Sequence, residues 1–315
     1  MILLRERGVV DGSSVGIWFF FGVLIAAAIF ADLILFRPKA DRVSLTQAVV
    51  ETTAWIGLSV AFGIWVYVSR GHRAGIDFFT AYVLEKSLSA DNVFLFLLIF
   101  RAFGVVPRAQ HRVLYSGIAG ALVLRLAFVL AGIALLARFH FVLYLFGAIL
   151  LLAGAHMLLS GEQKFDPGRN WGIRLVRKVI PVAMSHEHQQ FWTRERGRWA
   201  ATPLLLALVA IEATDVIFAA DSVPAVLAIT RDPFIVYSSN VFAILGLRAM
   251  YFGLADLMTR IRFLHQGLAV ILIFVGAKML LSEKVRVSSE ISLAVIVGIL
   301  GVAAGASWFA ARKAA

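Results

Sequence analysis

The chain alternates long apolar runs with short polar breaks in which arginine, lysine, glycine and proline gather. Runs of about 18 or more apolar residues have room to cross a hydrocarbon core of roughly 30 Å as helices, and none shows the ten-residue alternation of a membrane barrel. Nine spans follow: Val15–Phe36, Gln47–Val68, Ile76–Phe103, His111–Leu136, Phe139–Leu159, Ala200–Ile229, Phe234–Leu257, Phe263–Leu281 and Ile291–Ala310. The predicted class is all-α, a polytopic membrane protein with nine transmembrane helices. The first run has spanning length and no A-x-A-like cleavage site, so it reads as an anchor and not as a removable signal peptide. One long polar segment, Ser160–Trp199, lies between the fifth and sixth spans and contains Pro167, Gly168 and Pro181, which makes it the natural linker between two halves.

The halves resemble each other. "EKSLSADNVFLF", Glu85–Phe96, is echoed by "DVIFAADSVPAV", Asp215–Val226: in each, a carboxylate precedes by six positions the aspartate of an Ala-Asp-(Asn or Ser)-Val quartet. "LRLAF", Leu124–Phe128, finds its counterpart in "LRAMYF", Leu247–Phe252, and "GAHMLLS", Gly154–Ser160, in "GAKMLLS", Gly276–Ser282. Three spans match three spans. An odd number of crossings separates the copies, so the third and sixth spans are expected to run antiparallel, related by an axis in the membrane plane. The predicted organisation is two N-terminal helices in residues 1–75, a three-helix repeat in 76–159, a cytoplasmic basic loop in 160–199, the second repeat in 200–282 and a last helix in 283–315.

Composition narrows the chemistry. With 61% hydrophobic residues the apolar runs are too many for a soluble core. The net charge of +11 does not point to nucleic acid, because the basic residues sit in the short segments between apolar runs, where membrane topology explains them. Those segments carry 18 Lys and Arg on one side and 8 on the other, which places the N-terminus outside and the C-terminus in the cytoplasm. Trp171–Ile180 mixes Arg174, Arg177 and Lys178 with Trp171, Ile173 and Val176, the pattern of a helix lying on an anionic leaflet. Without a single cysteine there are no disulfides, no thiol redox chemistry and no thiolate metal sites, so any metal must use oxygen or imidazole.

Five carboxylates fall inside the repeated helices: Glu85, Asp91, Glu212, Asp215 and Asp221. Unpaired and ionised, each costs roughly 2.5–3.5 kcal/mol near the centre of a span, on the order of 12–18 kcal/mol together. They must face an interior, find partners or take up protons. At about 100° per residue Glu85, Ser89 and Asn92 share one stripe, as do Asp215 and Ser222, while Asp91 and Asp221 lie off it. Pro224 cannot donate to the carbonyl of Ala220, so the helix is expected to kink or open beside Asp221. Carboxylates, the Asn92 amide and hydroxyls such as that of Ser222, with no imidazole in either motif, describe a site for a hard cation such as Mn²⁺, Mg²⁺ or Ca²⁺. The competing reading is that the acids only hold the fold by pairing with Lys86, Arg125, Arg248 and Lys278, and for the two arginines a structural partnership is the expected role. Four bases do not neutralise these five acids together with Asp32 and Glu51, which stand nearer span ends. His186 and His188 in "SHEHQQ" read as residues of a solvated loop.

"EKSLSADNVF", "TPLLLALVAIEATDVIFAADSVPAVLAIT" and "DPFIVYSSNVFAILGLRAMYF" resemble the signature segments of the TerC/Alx family of integral membrane proteins, and the similarity runs from "ADLILF", Ala31–Phe36, to "GAKMLL", Gly276–Leu281. The resemblance implies a role in manganese export or metal homeostasis, a link to metal supply of exported enzymes, and a family name that comes from tellurium resistance. It places the family's intramembrane acids on Glu85, Asp91, Glu212, Asp215 and Asp221, with Asn92, Ser222 and Asn240 as polar neighbours. The expected function is therefore not enzymatic. It is an inner-membrane secondary transporter exporting divalent metal, Mn²⁺ first, in exchange for protons, with the ion as cargo and no permanently bound cofactor. Clustered carboxylates repel one another and take up a proton more readily once the metal leaves. A cation channel and a non-transporting membrane partner in secretion, redox balance or tellurium resistance stay open as alternatives, as do secretion machinery or a second copy of the chain as partners.

Overall fold

In the computed structural model, residues 12–35, 45–159, 166–183, 190–195, 197–254, 263–282, 284–285 and 287–314 are described. His186 and His188 lie outside them. The chain divides into two compact units, Met1–Ala40 and Asp41–Ala315. The first contributes one apolar helix, α1 (Gly12–Leu35).

The second unit runs α2 (Leu45–Arg70), α3 (His72–Ala102), α4 (Pro107–Arg138), α5 (Phe141–Leu159), α6 (Trp171–Val179), β1 (Trp192–Glu195), β2 (Arg198–Ala201), α7 (Pro203–Leu227), α8 (Pro233–Leu245), α9 (Leu247–Leu254), α10 (Leu264–Leu280) and α11 (Ser289–Ala314). Local chemistry sets the starts. Proline opens α4, α7 and α8, where its missing N–H has no helical partner to lose. Thr202 Oγ1 accepts from Leu205 N (3.3 Å) and Asp232 Oδ1 from Phe234 N (2.9 Å), so α7 and α8 each begin on a side-chain cap.

Among the described residues seven helices are long and apolar enough to cross a membrane: Val15–Asp32, Thr46–Arg70, Pro107–Arg138, Phe141–Leu159, Pro203–Leu227, Pro233–Phe252 and Ser289–Ala310. The two remaining expected spans fall short for different reasons. α3, with 31 residues, is long but carries Asp77, Glu85, Lys86 and Asp91 along its middle. α10, with 17 residues, extends about 25 Å at 1.5 Å per residue.

The break in helical structure is not where Pro224 suggested. α7 continues through Pro224 to Leu227 without opening beside Asp221. The interruption falls at Gly246, which splits the expected seventh crossing of the sequence, Phe234–Leu257, into α8 and α9. Lys86 explains it: its Nζ donates to Ala243 O (3.3 Å), and a Cβ on Gly246 would come within 2.6 Å of that nitrogen. A cation reaching in from α3 thus takes the carbonyl at the end of α8.

α3 and α7 run in opposite directions. The Ala81 and Leu84 end of α3 shares a core with Ala219–Leu227 of α7, while Phe96–Phe103 packs with Leu204–Ile211. Arg70, beside the start of α3, pairs with Asp232, just beyond the end of α7 (2.9 Å). α5 and α10 also pack antiparallel, and so closely that backbone touches backbone. A Cβ on Gly154 would lie 2.7 Å from Ala269 O, and one on Gly276 would lie 2.8 Å from Gly147 O. These two contacts correspond under the sequence repeat: Gly154 matches Gly276, and Gly147 matches Ala269.

The linker is more ordered than its composition suggested. α6 forms where the cationic helix was expected, capped by Asn170 Oδ1, which accepts from Ile173 N (3.1 Å). It does not only face outward: Gly172 and Ile173 are buried, with Gly172 seated against Ala213 and Val209 of α7. A two-stranded antiparallel hairpin follows, turning at Gly197 with φ 77°.

The α5–α10 contact gives a sharp expectation. Gly276→Ala forces a methyl against the Gly147 carbonyl, which no rotamer change relieves, and should destabilise the protein by about 1–3 kcal/mol. Gly298→Ala on α11, where a Cβ meets nothing within 4 Å, should be neutral or better. Thermal unfolding of the purified variants in detergent separates the two.

Candidate functional site

Arg125 stands at the centre of the bundle. α4 carries its guanidinium between α3 and α7, where Nη1 donates to Glu85 Oε2 at 2.6 Å and to Ser222 Oγ at 3.3 Å, and Nη2 donates to Asp215 Oδ1 at 3.1 Å. Nε adds a longer contact to Asp215 Oδ2 at 3.5 Å. Arg125 is 1% exposed, Glu85 0% and Asp215 5%, so the triad is buried. The repeat predicts that Glu85 and Asp215 occupy equivalent places, and the fold brings both to one cation. A single guanidinium against two carboxylates leaves one negative charge over when all three are ionised.

A cavity of about 420 Å³ adjoins this triad. Arg125, Asn92, Thr214, Asp221 and Ser222 line its inner part, and it extends to Asp166 and Asn170 in the turn before α6. Asn92 and Ser222 are the equivalent polar positions of the two motifs, so both copies reach the same space. A second cavity, about 1130 Å³, lies at the other end of the bundle, lined among others by Arg73, Asp77, Ala228, Arg231 and Lys278. On α7 only the buried residues Val223–Val226 separate the stretch lining the first from that lining the second, which begins at Leu227. From Ser222 to Leu227 is about 7.5 Å of helix.

The other expected site residues are placed less centrally. Glu212 presses its carboxylate into the notch left by Gly120 on α4, where a Cβ would lie 2.2 Å from Oε1. The buried oxygens Glu85 Oε1, Ser89 Oγ, Glu212 Oε2 and Asn240 Oδ1 have no hydrogen-bond partner among the described residues. The side chain of Asp91 lies outside the described residues. Among those described, no three of the Asp, Glu and His side chains gather closely enough to share one metal ion.

The remaining bases make buried contacts of their own. Arg248, the repeat's counterpart of Arg125, pairs with Glu51 of α2 and lies 4.8 Å over the ring of Tyr115. Glu51 stands only a turn or two from the start of its helix, yet it is buried at 3% exposure, which a position near a span end did not suggest. Lys278 donates to Ser292 Oγ at 2.8 Å. The cavity lining by Thr214 and by His156 and His265 has no signal in the repeat, since neither histidine has a counterpart at the equivalent position of the other copy.

Residues 70–315 match the family described as the integral membrane protein TerC family. The chain is 42% identical to an uncharacterized membrane protein, STKORF319, of Myxococcus xanthus over 96% of its own length and 94% of that protein. It is also 42% identical to a protein of Escherichia coli K12 that bears the provisional name membrane-bound redox modulator Alx, over 90% of this chain and 91% of that one. An uncharacterized membrane protein of Rickettsia bellii is 34% identical over 90% and 94% respectively. No solved structure matches the chain.

The Arg248–Glu51 pair tests how far buried charge holds this bundle together. Arg248→Met leaves a carboxylate buried without its cation and should cost about 3–5 kcal/mol, whereas Arg248→Met with Glu51→Leu should recover most of that loss. A double-mutant cycle on thermal or denaturant unfolding reads the coupling.

Proposed function

Because the chain belongs to the TerC family of integral membrane proteins, we propose that it is a secondary transporter that exports a divalent metal ion, Mn²⁺ first, in exchange for protons. The observation that carries this reading is the cavity of about 420 Å³ in which Asn92 from one motif meets Asp221 and Ser222 from the other. Six waters at about 30 Å³ each fill about 180 Å³, so the space suits an ion that arrives hydrated. Carboxylate, amide carbonyl and hydroxyl are the donors that such hard ions prefer. In this reading Glu85, Asp91, Asn92, Asp215, Asp221 and Ser222 coordinate the ion along its route, and Glu212 serves as ligand or proton carrier.

In the same proposal α3 and α10 complete nine crossings, the two three-helix units form an inverted repeat, and the protein sits in the inner membrane with its N-terminus outside. The matched glycine contacts of α5 and α10 and the antiparallel course of α3 and α7 support the repeat. The cavity then faces the cytoplasm, since it reaches the turn before α6, and the buried residues Val223–Val226 close the way out. A wall of that kind favours alternating access over an open cation channel.

A second reading has its own support. Arg125 already pairs with Glu85 and Asp215, as in a structural triad, and some relatives carry a redox name. A chain without cysteine would exert a redox effect only indirectly, through metal supply or a partner.

Metal content of cells decides between them. Expression of the wild type should lower cellular Mn²⁺ and Asp221→Asn should abolish that effect while still inserting in the membrane; equal metal content with both proteins would leave the transporter reading without support. In everted vesicles Mn²⁺ uptake should follow the imposed pH gradient, and uptake indifferent to it would remove the proton exchange.

A further inference from the structure

Arg125 has two sides. On one it holds Glu85 and Asp215; on the other it lines the cavity that contains Asp221 and Asn92. The carboxylate it grips is not saturated: Glu85 Oε1 is buried and has no hydrogen-bond partner among the described residues, and neither has Ser89 Oγ one turn further along the same stripe. A structural ion pair kept only for stability gains nothing from a spare buried carboxylate oxygen, which costs on the order of 1–3 kcal/mol or more when unsatisfied. A site whose resident cation gives way to a guest with more ligand demand needs that oxygen.

We propose that Arg125 is a tethered cation that occupies Glu85 and Asp215 until a divalent ion displaces it, and that this exchange sets selectivity for divalent over monovalent ions. The proposal rests on the transport reading above and assigns a positioning role within it. Charge counting makes the exchange specific. With Arg125 in place the Glu85–Asp215 pair carries one excess negative charge, and Asp221 carries another in the cavity. When a divalent ion takes the pair, the pair becomes neutral, and the displaced guanidinium, turning toward the cavity, neutralises Asp221. A monovalent ion also frees the guanidinium for Asp221 but leaves the pair one charge short of neutral, so it repays less of the cost of displacing a guanidinium held by hydrogen bonds to both acids. Lower affinity for every ion is the cost of this guard, because the competent site exists only in the fraction of molecules whose guanidinium has moved.

The test is equilibrium binding of Mn²⁺ to the purified full-length protein, alone and against excess K⁺, together with Mn²⁺ transport in proteoliposomes. The wild type should bind Mn²⁺ with little competition from K⁺. Arg125→Gln should bind Mn²⁺ about tenfold tighter or more, admit K⁺ as a competitor, and transport more slowly because nothing returns to expel the ion. Arg125→Lys keeps the charge and is the safer variant for folding; its single ammonium cannot bridge both acids as the planar fork does, so it should also bind Mn²⁺ more tightly than the wild type, though less so. Affinity that stays equal or falls in the folded variants, with K⁺ still excluded, overturns the tether while leaving transport by the wild type intact. A wild type that neither binds nor moves a divalent ion sinks the transport reading and the tether with it.

Discussion

A guanidinium buried between carboxylates from two oppositely directed helices is the constraint on which this structure turns. Inside a bilayer, apolar side chains gain little by leaving lipid for one another, so helix association depends on close packing and on polar ties. Arg125 supplies such a tie three times over, joining α4 to α3 through Glu85 and to α7 through Asp215 and Ser222. None of the three helices can shift far without leaving a buried charge unpaired. The cavity beside the triad exists because these helices are held at that spacing while the side chains of Asn92, Thr214 and Asp221 do not fill it.

The two halves use equivalent residues unequally. Arg248 pairs with Glu51 on α2, a helix outside the repeat, and rests over Tyr115. One arginine thus fastens the repeat to the flanking helix and the other governs the middle. Lys86 shows the same economy: the base inside the first motif has no equivalent in the second, where Val216 stands, and it bonds to the Ala243 carbonyl at the Gly246 interruption.

Much of this was legible in the sequence because hydrophobic length and internal repetition report directly on helices and on their relation. The duplicated acids announced a shared centre, and Glu85 and Asp215 do meet. What stayed hidden depends on which distant groups come together. Nothing near Gly246 signals a break until Lys86 is seen reaching its neighbour, and Pro224, the obvious breaker, sits so near the end of α7 that the helix keeps its course. Nor could spacing reveal that Glu51, close to the start of its helix, would be buried by Arg248. The hairpin at Trp192–Ala201 escaped because four-residue strands in a charged linker leave hardly any periodic trace.

The seam of α5 and α10 carries a mechanical meaning. Where Gly147, Gly154 and Gly276 let main chain press on main chain, Leu280 and Ile273 of α10 sit directly over the two glycines of α5. Such a seam fixes how far apart the two helices lie, and a larger side chain at any of these glycines would prise it open like grit in a hinge.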